Sequence, residues 1–440
     1  MNKILKRSLV AIASALLLSA CSSGNQQGKD EAAETSSQAT ESPVEITLWH
    51  AMNGPQQEAL SDLVKAFNEA QDDYQVKEQN QGDYDTLAQK VMAAGVSKDL
   101  PTLAQATPSN IADWTNNKLL TPLDDLIKGE GGFSDDELAD IYPGFMDGVK
   151  YQGKLMGMPF SKSVRVFYVN TDILKEYGVD VPKTWDDIKA LGEKMKANGD
   201  SRYALGLEAG VEMEVETMAR QNGADWFKPD LSNVDIASDQ AIAPLTYIKN
   251  GLDAGWARLP GEDDYITNPF GRGDIATIVS SSTGLAYIPP LAKDSGIHWT
   301  AVELPTFNGG DPLTLLAGND LTVFNAASDA QKKGAVAFMH FLLEPENTAK
   351  WAIASGYLPV NRSGLQTKAY QDYLNEHPEA KAATKEAEYA MAQTKFVGSG
   401  EYRDDWKKAQ DQMLLEGKDI PTTMAQLQEQ AKQIIEKNNK

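Results

Sequence analysis

The chain has 440 residues, a formal net charge of −22 and a single cysteine. This acidic excess excludes nucleic acid and anionic lipid head groups as electrostatic partners, because both require clustered lysine and arginine. One cysteine excludes a disulfide within the chain, and the length predicts more than one domain.

The first twenty residues predict a secretory signal peptide. A basic start with three cations precedes an apolar segment, residues 9–18, which is too short to remain as a membrane span. Removing residues 1–20 takes away three positive charges and no negative charge, which changes the net charge from −22 to −25. The end of this segment, Leu-Ser-Ala-Cys, resembles the bacterial lipobox, which implies that Cys21 carries a lipid anchor. The alternative is a free thiol just past a cleavage site.

A polar linker follows Cys21. Residues 22–43 contain no large apolar side chain and are rich in serine, glutamine, glutamate and threonine. Such a segment buries too little apolar surface to offset the conformational entropy of the chain. We therefore expect residues 21–43 to form a lipid-anchored flexible tether, which places the globular part at the outer face of the cell membrane.

Strands and helices alternate from residue 44 onward. Strands are predicted at 44–49, 74–79 and 102–105, and each is followed by a segment whose apolar residues have helical spacing. This βαβαβ pattern predicts a parallel sheet wrapped by helices.

The stretch 155–170 predicts a crossing between two lobes. A short apolar run is followed by three polar residues, Ser161, Lys162 and Ser163, and then by apolar residues that alternate with period two. Two extended segments that meet at a polar joint place hydroxyl groups at the mouth of a cleft. The alternative is a surface hairpin.

A second set of strands and helices builds the other lobe. Thr184 predicts a helix N-cap, and a buried strand is predicted at 275–279. The extended stretch 315–324 leads into a helix at 329–343, which places a return crossing near Gly318.

These elements predict an α/β fold with two lobes, each a mostly parallel sheet flanked by helices, joined by a multi-segment hinge. Residues 44–163 with 318–375 would form the N-lobe, and residues 164–317 with 376–440 the C-lobe. The tail from residue 366 to residue 440 is predicted to be almost wholly helical.

The usual catalytic signatures are missing from the sequence. It has no phosphate loop, no HExxH pair and no GxSxG elbow, and none of its four histidines has a histidine or cysteine at ligand spacing. We therefore expect no enzymatic activity, no metal and no cofactor.

A hydroxyl-rich segment follows the buried strand at 275–279. Three serines, Thr283 and Gly284 stand where the strand gives way to a helix, which predicts an anion cradle of hydroxyl and N–H groups. A serine-rich N-cap with nothing bound is the alternative. Two later loops present Tyr357 and Arg403, and this arginine either clamps a carboxylate or phosphate or is simply exposed at a helix start.

Six segments resemble the extracellular solute-binding proteins of ABC importers, the maltose-binding-like group, and within it the sn-glycerol-3-phosphate-binding proteins. They are LWHAMNG, QGDYDTL, MGMPFSKSVRVFYVN, GRGDIATIVSSSTG, FLLEPENTAKWAIASGYLPVN and GEYRDDW. The resemblance runs from residue 46 to the C-terminus. It implies a two-lobe fold of periplasmic-binding-protein type II and a phosphorylated ligand held between the lobes.

The resemblance also implies which residues hold the phosphate. They are Tyr84, Ser163, Ser281, Ser282, Gly318, Tyr357 and Arg403. Two departures concern the polyol end: Pro108 stands where the family has a glutamate, and the tryptophan expected near 206–211 is missing. Glycerophosphodiesters such as glycerophosphocholine therefore fit the pattern as well as glycerol 3-phosphate does.

Two alternatives stay open. An oligosaccharide ligand would stack on aromatic side chains, of which the candidates are Trp49, Tyr84, Trp226, Trp256 and Tyr357. A more remote alternative is an anchored extracellular hydrolase. The expected partners are the ligand and the transmembrane subunits of an ABC permease, with the protein itself a monomer that binds no nucleic acid and meets the membrane only through its anchor.

Overall fold

The computed structural model describes residues 42–129 and 131–438. Strands and helices alternate along most of these residues. The strands are β1 (Val44–His50), β2 (Tyr74–Asn80), β3 (Leu103–Ala106), β4 (Lys150–Tyr151), β5 (Lys154–Leu155), β6 (Met158–Ser163), β7 (Arg165–Asn170), β8 (Tyr203–Gly206), β9 (Trp226–Phe227), β10 (Val234–Asp235), β11 (Ala257–Arg258), β12 (Ile275–Ser281), β13 (Trp299–Val302), β14 (Thr314–Leu315), β15 (Ala317–Val323) and β16 (Ala390–Met391).

The α-helices are α1 (Gly54–Ala70), α2 (Tyr84–Ser97), α3 (Pro108–Asn116), α4 (Asp135–Asp140), α5 (Pro143–Val149), α6 (Thr171–Tyr177), α7 (Trp185–Ala197), α8 (Glu212–Gln221), α9 (Asp239–Asp253), α10 (Thr267–Gly271), α11 (Gly284–Ser295), α12 (Asp329–Leu343), α13 (Pro345–Ser355), α14 (Arg362–Gln366), α15 (Lys368–Glu376), α16 (Lys381–Glu386), α17 (Ser399–Leu414) and α18 (Ile420–Asn438). None of these described helices is long and apolar enough to cross a membrane. The predicted signal peptide, the anchor at Cys21 and most of the linker lie outside the described residues.

Two five-stranded sheets organise the chain. The first sheet has the order β2-β1-β3-β15-β6, and the second has the order β11-β8-β12-β7-β13. In the first sheet β1 is parallel to β2 and β3, while β15 is antiparallel to both β3 and β6. In the second sheet β8 is parallel to β11 and β12, while β7 is antiparallel to both β12 and β13. Four strands of each sheet therefore run in one direction, as the predicted mostly parallel sheets require.

The chain passes from the first sheet to the second between β6 and β7. The single linking residue, Val164, is fully buried. Because β6 pairs with β15, whereas β7 pairs with β12 and β13, the two strands form no hairpin, and that alternative is wrong. The prediction of a polar loop at Ser161, Lys162 and Ser163 is also wrong, since all three residues belong to β6 and pair with β15.

The return crossing lies where predicted. Strand β15 begins at Ala317 and pairs with β6 and β3 of the first sheet, so the chain re-enters that sheet beside Gly318. The strands of the first sheet lie within 44–163 and 317–323, so β15 begins one residue before the predicted boundary at 318, and the strands of the second sheet lie within 165–302. The lobe boundaries themselves stay a prediction.

Apolar side chains are buried on both faces of the second sheet. Along β7, Val166 and Tyr168 join the cluster that also packs around the first sheet, whereas Phe167 and Val169 join a second cluster beneath α7, α8 and α9. This explains why β7 is apolar at nearly every position rather than only at alternate ones.

Local signals fix several helix ends. At α7 the Thr184 hydroxyl accepts from the Asp187 amide at 3.2 Å, and the Asp187 carboxylate accepts from the Thr184 amide at 2.9 Å, which forms the expected cap. Helix α12 has the predicted bounds. The tail is less helical than predicted, because β16 and residues 392–398 interrupt it.

Candidate functional site

Two tyrosines and an asparagine meet where α2 begins. Tyr84 is the first residue of α2, and Asp83 caps the helix by accepting from the Thr86 amide at 2.7 Å. The Tyr84 hydroxyl accepts a hydrogen bond from the Asn319 side-chain amide at 2.8 Å and lies 3.4 Å from the hydroxyl of Tyr357. Residues of α2, β15 and the loop after α13 therefore converge on one point.

Tyr357 is positioned by an aromatic stack and by a glycine. Its ring stacks on Trp351 with centroids 5.7 Å apart, and Trp351 stacks on Phe160 at 4.8 Å. Gly356, just before it, has φ of +72°, and a Cβ there would come within 2.8 Å of the Cα of Thr283. The loop that carries Tyr357 is thus pressed against the serine-rich turn that follows β12.

That turn offers fewer donors than the sequence predicted. The Ser281 hydroxyl accepts from the amide of Thr283 at 3.2 Å and from its hydroxyl at 2.9 Å. The amides of Leu285 and Ala286 donate to backbone carbonyls of the same turn. The Ser282 hydroxyl, in contrast, is fully buried and has no partner among the described residues. Ser281 accepts two hydrogen bonds and still has its own proton to donate, so Ser281 and Ser282 are both candidate donors to a ligand.

Gly318 occupies a position that only glycine can fill. Its φ is +95°, and a Cβ there would lie 1.8 Å from the carbonyl oxygen of Ser161. Gly318 is paired with Lys162, and the next pair in the ladder is Ala317 with Ser163. Ser163 is buried in this ladder, one residue from the crossing.

Arg403 lies in α17 and lines a cleft of about 540 Å³, whose wall also includes Tyr84. Arg403 forms no hydrogen bond or ion pair with any residue in 42–129 or 131–438. In contrast, Lys407 on the same helix forms an ion pair with Asp85 at 2.9 Å. An unpaired guanidinium in a cleft is available for a ligand with paired oxygen acceptors.

The tyrosines of the site are neutral donors. Burial raises the pKa of Tyr84 above its ordinary value, opposed by its hydrogen bonds to Tyr357 and Asn319. Burial likewise raises the pKa of Tyr357 far above its ordinary value. Both hydroxyls therefore keep their protons at neutral pH. Because the two hydroxyls form a hydrogen bond with each other, one proton lies between them and the other is left for a further acceptor.

The structure thus brings Tyr84 and Tyr357 into one cluster, places Ser282 against the loop of Tyr357, and sets Arg403 on the same cleft as Tyr84. It shows no hydrogen bond between Arg403 and the serines within the described residues. Sequence reasoning missed Asn319, although this residue directly follows Gly318. It also missed Tyr287 of α11, whose ring approaches the start of α1 at Gly54.

A sequence profile of the bacterial extracellular solute-binding proteins matches residues 62–379. The chain belongs to this family. This solute-binding protein is 27% identical over 354 residues to the sn-glycerol-3-phosphate-binding periplasmic protein UgpB of Escherichia coli (strain K12), a match that covers 78% of the chain and 80% of the relative. The same identity and coverage hold for UgpB of Salmonella typhimurium.

Solved structures show the same fold. UgpB from Mycobacterium tuberculosis in complex with glycerophosphocholine has a TM-score of 0.80 at 23% identity, covering 91% of this chain and 100% of that one. The substrate-binding protein Lmo0181 from Listeria monocytogenes in complex with cycloalternan has a TM-score of 0.77 at 20% identity, covering 89% and 98%. The solute-binding protein therefore has the two-lobe fold of type II that its sequence predicts.

Proposed function

We propose that this solute-binding protein captures a phosphorylated polyol, either glycerol 3-phosphate or a glycerophosphodiester such as glycerophosphocholine, and delivers it to an ABC permease. The observation that carries the proposal is the position of Arg403. It is a cation without an ion pair among the described residues, and it lines the 540 Å³ cleft that also has Tyr84 in its wall.

An unpaired arginine is unexpected in so acidic a chain. The same cleft is lined by Asp85, Asp113, Glu401 and Asp404, so carboxylates are close at hand. Lys407 and Lys408, on the same helix, are both ion-paired. A cation that is left free where its neighbours are paired is suited to an anionic ligand, because a phosphate accepts two parallel hydrogen bonds from one guanidinium.

Neutral donors complete the proposed site. Tyr84 and Tyr357 are protonated hydroxyls that lie 3.4 Å apart, and the buried Ser282 hydroxyl has no partner among the described residues. Oriented neutral donors are suited to binding an anion in a molecule whose overall field repels it. The remaining members of the proposed site are Ser163, Ser281 and Gly318.

The relatives support this chemistry. UgpB of Escherichia coli and UgpB of Salmonella typhimurium are named sn-glycerol-3-phosphate-binding proteins, and the Mycobacterium tuberculosis relative was crystallised with glycerophosphocholine. Both ligands carry a phosphate attached to glycerol, which is the chemical group that Arg403 and the hydroxyls would bind.

An oligosaccharide is the second candidate ligand, because other proteins of this fold were crystallised with sugars. The aromatic side chains that would stack on a sugar are mostly inaccessible, however. Trp226, Trp256 and Tyr357 are buried, whereas Tyr84 lies on the cleft. Stacking needs an exposed ring face, so these residues favour the phosphorylated ligand.

The proposal includes the route to the membrane. Lipidation of Cys21 would anchor the protein, and residues 22–43 would leave the binding domain free to meet its permease as a monomer. Capture and release require no chemical change in the ligand, so no catalytic group is assigned.

Calorimetric titration of the purified protein tests the ligand. We expect glycerol 3-phosphate or a glycerophosphodiester to bind, and maltodextrins to give no signal. Binding of maltodextrins without binding of any phosphorylated ligand would contradict the proposal and favour the oligosaccharide. The ligand recovered after incubation should be intact, since its hydrolysis would support the hydrolase alternative.

A further inference from the structure

A carboxylate of the lobe built on the first sheet contacts the start of a helix of the other lobe. Asp113 lies in α3, whose residues Ile111 and Trp114 belong to the apolar cluster around the first sheet. Helix α17 packs against α9 and α18, and its Trp406 belongs to the second apolar cluster. The Asp113 carboxylate accepts a hydrogen bond from the amide of Gly398 at 2.7 Å, so it joins the two lobes where α17 begins.

Asp113 acts as the cap of α17. The amide of Gly400 also donates to Asp113, and a Cβ at Gly400 would lie 3.1 Å from Oδ2 of this carboxylate. The first amides of a helix have no partner within the helix and attract a negative charge. Gly398, the residue before α17, has φ of +87° and no side chain that could cap the helix. Asp113 therefore supplies, from the opposite lobe, the cap that the helix lacks in its own sequence.

This cap fixes the helix that carries Arg403 without neutralising its charge. Asp113, Gly400 and Arg403 line the same cleft, and Arg403 follows Gly400 by less than one turn of α17. Burial raises the pKa of Asp113, and the hydrogen bonds from the amides of Gly398 and Gly400 oppose this rise. The carboxylate is thus directed at the backbone and forms no ion pair with the guanidinium within the described residues. Arg403 stays available to a ligand.

The ion pair between Lys407 and Asp85 also joins α17 to the first lobe, but it is a weaker link. Its side chains are 50% and 66% exposed, so water and salt screen their attraction. Asp113 is only partly exposed, and its acceptors meet backbone amides whose positions are fixed by the helix. A charge-assisted hydrogen bond of this kind contributes more than an exposed ion pair does.

The bond between Asp113 and Gly398 depends on how far the lobes are apart. Residues of α3 and residues of α17 form different parts of the wall of the same cleft. A cleft between two lobes closes on its ligand by bending at the segments that join the lobes. Separation of α3 from α17 would break the bond, after which water would solvate the carboxylate and the amides. The bond therefore belongs to the closed arrangement of the lobes.

We propose that Asp113 is a positioning residue that caps α17 only when the lobes close, and that in doing so it holds Arg403 against the bound phosphate and slows release of the ligand. The proposal rests on the proposed function, because it needs a phosphate at Arg403. Asp113 itself is assigned no contact with the ligand. Its contribution should be present in the complex and absent from the ligand-free protein.

Asp113→Ala tests this role in the full chain. Calorimetric titration and stopped-flow kinetics with glycerol 3-phosphate and glycerophosphocholine are the measurements. The affinity for the ester that the unchanged protein binds should fall about fivefold, as the loss of a helix cap would give. The loss should appear as faster dissociation, with the association rate constant within about twofold, because the cap forms after the ligand has entered the cleft. An unchanged affinity, or a loss confined to association, would overturn the proposal.

Urea unfolding without ligand separates this role from that of an ordinary structural contact. If the cap forms only in the closed arrangement, ligand-free Asp113→Ala and the unchanged protein should have the same midpoint. A lower midpoint, or a variant that does not fold, would show that the cap also exists without ligand and would overturn the proposal. If the unchanged protein bound neither ester, the proposed function would fail together with the role of Asp113. Binding that does not respond to Asp113→Ala would overturn only the latter.

A conservative variant and a matched control identify the cause of the effect. Asparagine caps helices about as well as aspartate does, so Asp113→Asn should keep the affinity within about twofold of the unchanged protein. Equal weakening by Asp113→Asn and Asp113→Ala would assign the effect to charge rather than to capping and would contradict the proposal. Asp62→Ala removes the same charge at an exposed position of α1 and should alter neither affinity nor dissociation. A control that weakened binding as much as Asp113→Ala does would also contradict it.

Discussion

The side-chain amide of Asn319 donates a hydrogen bond of 2.8 Å to the hydroxyl of Tyr84, which joins the start of β15 to the start of α2. The two residues are 235 positions apart in the chain. Because Asn319 occupies an acceptor site of the hydroxyl, the Tyr84 proton is free to point at another acceptor. This arrangement suits the role of hydrogen-bond donor that we propose for Tyr84.

Tyr84→Phe tests this donor. Removing one neutral hydrogen bond to the ligand should cost about 1 kcal/mol, or roughly fivefold in affinity. The matched control is Tyr265→Phe, since Tyr265 is 61% exposed. Calorimetric titration with a phosphorylated ligand should separate the two variants. Equal affinities for Tyr84→Phe and the unchanged protein would remove Tyr84 from the site.

Gly318→Ala tests the close approach of β15 to β6. A Cβ at Gly318 would lie 1.8 Å from the carbonyl oxygen of Ser161, so the strands must separate, and we expect the free energy of unfolding to fall by about 3 to 5 kcal/mol. Gly309→Ala is the control: its φ is also positive, at +76°, but no atom lies within 4 Å of its Cβ position. This control should lower the free energy of unfolding by about 1 kcal/mol. Similar urea midpoints for the two variants would show that steric contact is unimportant at Gly318.

Much of the fold could be predicted from local signals. The crossing at 155–170 was predictable because the apolar start of β6 and the alternating residues of β7 both indicate extended chain, and a single residue separates the two strands. The cap at Thr184 and the bounds of α12 followed from side-chain types alone. The polar joint was misjudged because strand β15, more than 150 residues further along, pairs with Ser161, Lys162 and Ser163.

The site was less predictable, because its contacts are distant in sequence. Nothing local distinguishes Ser281, whose hydroxyl is engaged by Thr283, from Ser282, whose hydroxyl has no partner in the described chain. Glu212 is one of three acidic residues within five positions, a pattern that reads as an exposed helix face. Its place beside Arg403 in the wall of one small cavity is visible only once α8 and α17 are folded together.

His50 should make stability depend on pH. It is fully buried, and burial lowers its pKa from 6.5 to about 4. His50 of the unfolded chain therefore becomes protonated below pH 6.5, whereas His50 of the folded chain stays neutral down to about pH 4. The free energy of unfolding falls as the pH falls through this window. Lowering the pH from 7 to 5 should reduce the free energy of unfolding by about 2 kcal/mol through this residue.

Urea unfolding of the unchanged protein and of His50→Gln at both pH values measures this contribution. The difference between the two proteins cancels the titration of all other groups that the variant leaves undisturbed. The variant should lose less stability on acidification than the unchanged protein does. An identical loss in both would mean that His50 is protonated in the folded state.

Cys21→Ser tests the anchor. Cys21 is the only cysteine, and a tether without a lipid has no other predicted attachment to the membrane, so the variant should appear in the medium. Fractionation followed by a salt wash is the measurement. Retention of the variant in the washed membrane fraction would mean that something other than this thiol holds the protein.

The ordering of two variants tests how the anion is held. Arg403 carries the formal positive charge among the proposed donors of this acidic protein. Its removal should therefore weaken binding of the ligand more than the loss of any hydroxyl does. We expect Arg403→Ala to cost on the order of 2 to 4 kcal/mol of binding to a phosphorylated ligand, roughly 30-fold to 1000-fold. Ser282→Ala should weaken binding of the same ligand by only about 1 kcal/mol.

The control for this ordering is Lys408→Ala, which removes a positive charge from the same helix at a residue that is 71% exposed and paired with Asp405. It changes the long-range field about as much as Arg403→Ala does, but removes no contact in the cleft. Its affinity should therefore stay within about threefold of the unchanged protein, because exposed charges are screened by salt. If Arg403→Ala behaved like this control while remaining folded, the guanidinium would not contact the ligand, and an uncharged oligosaccharide would become the better candidate.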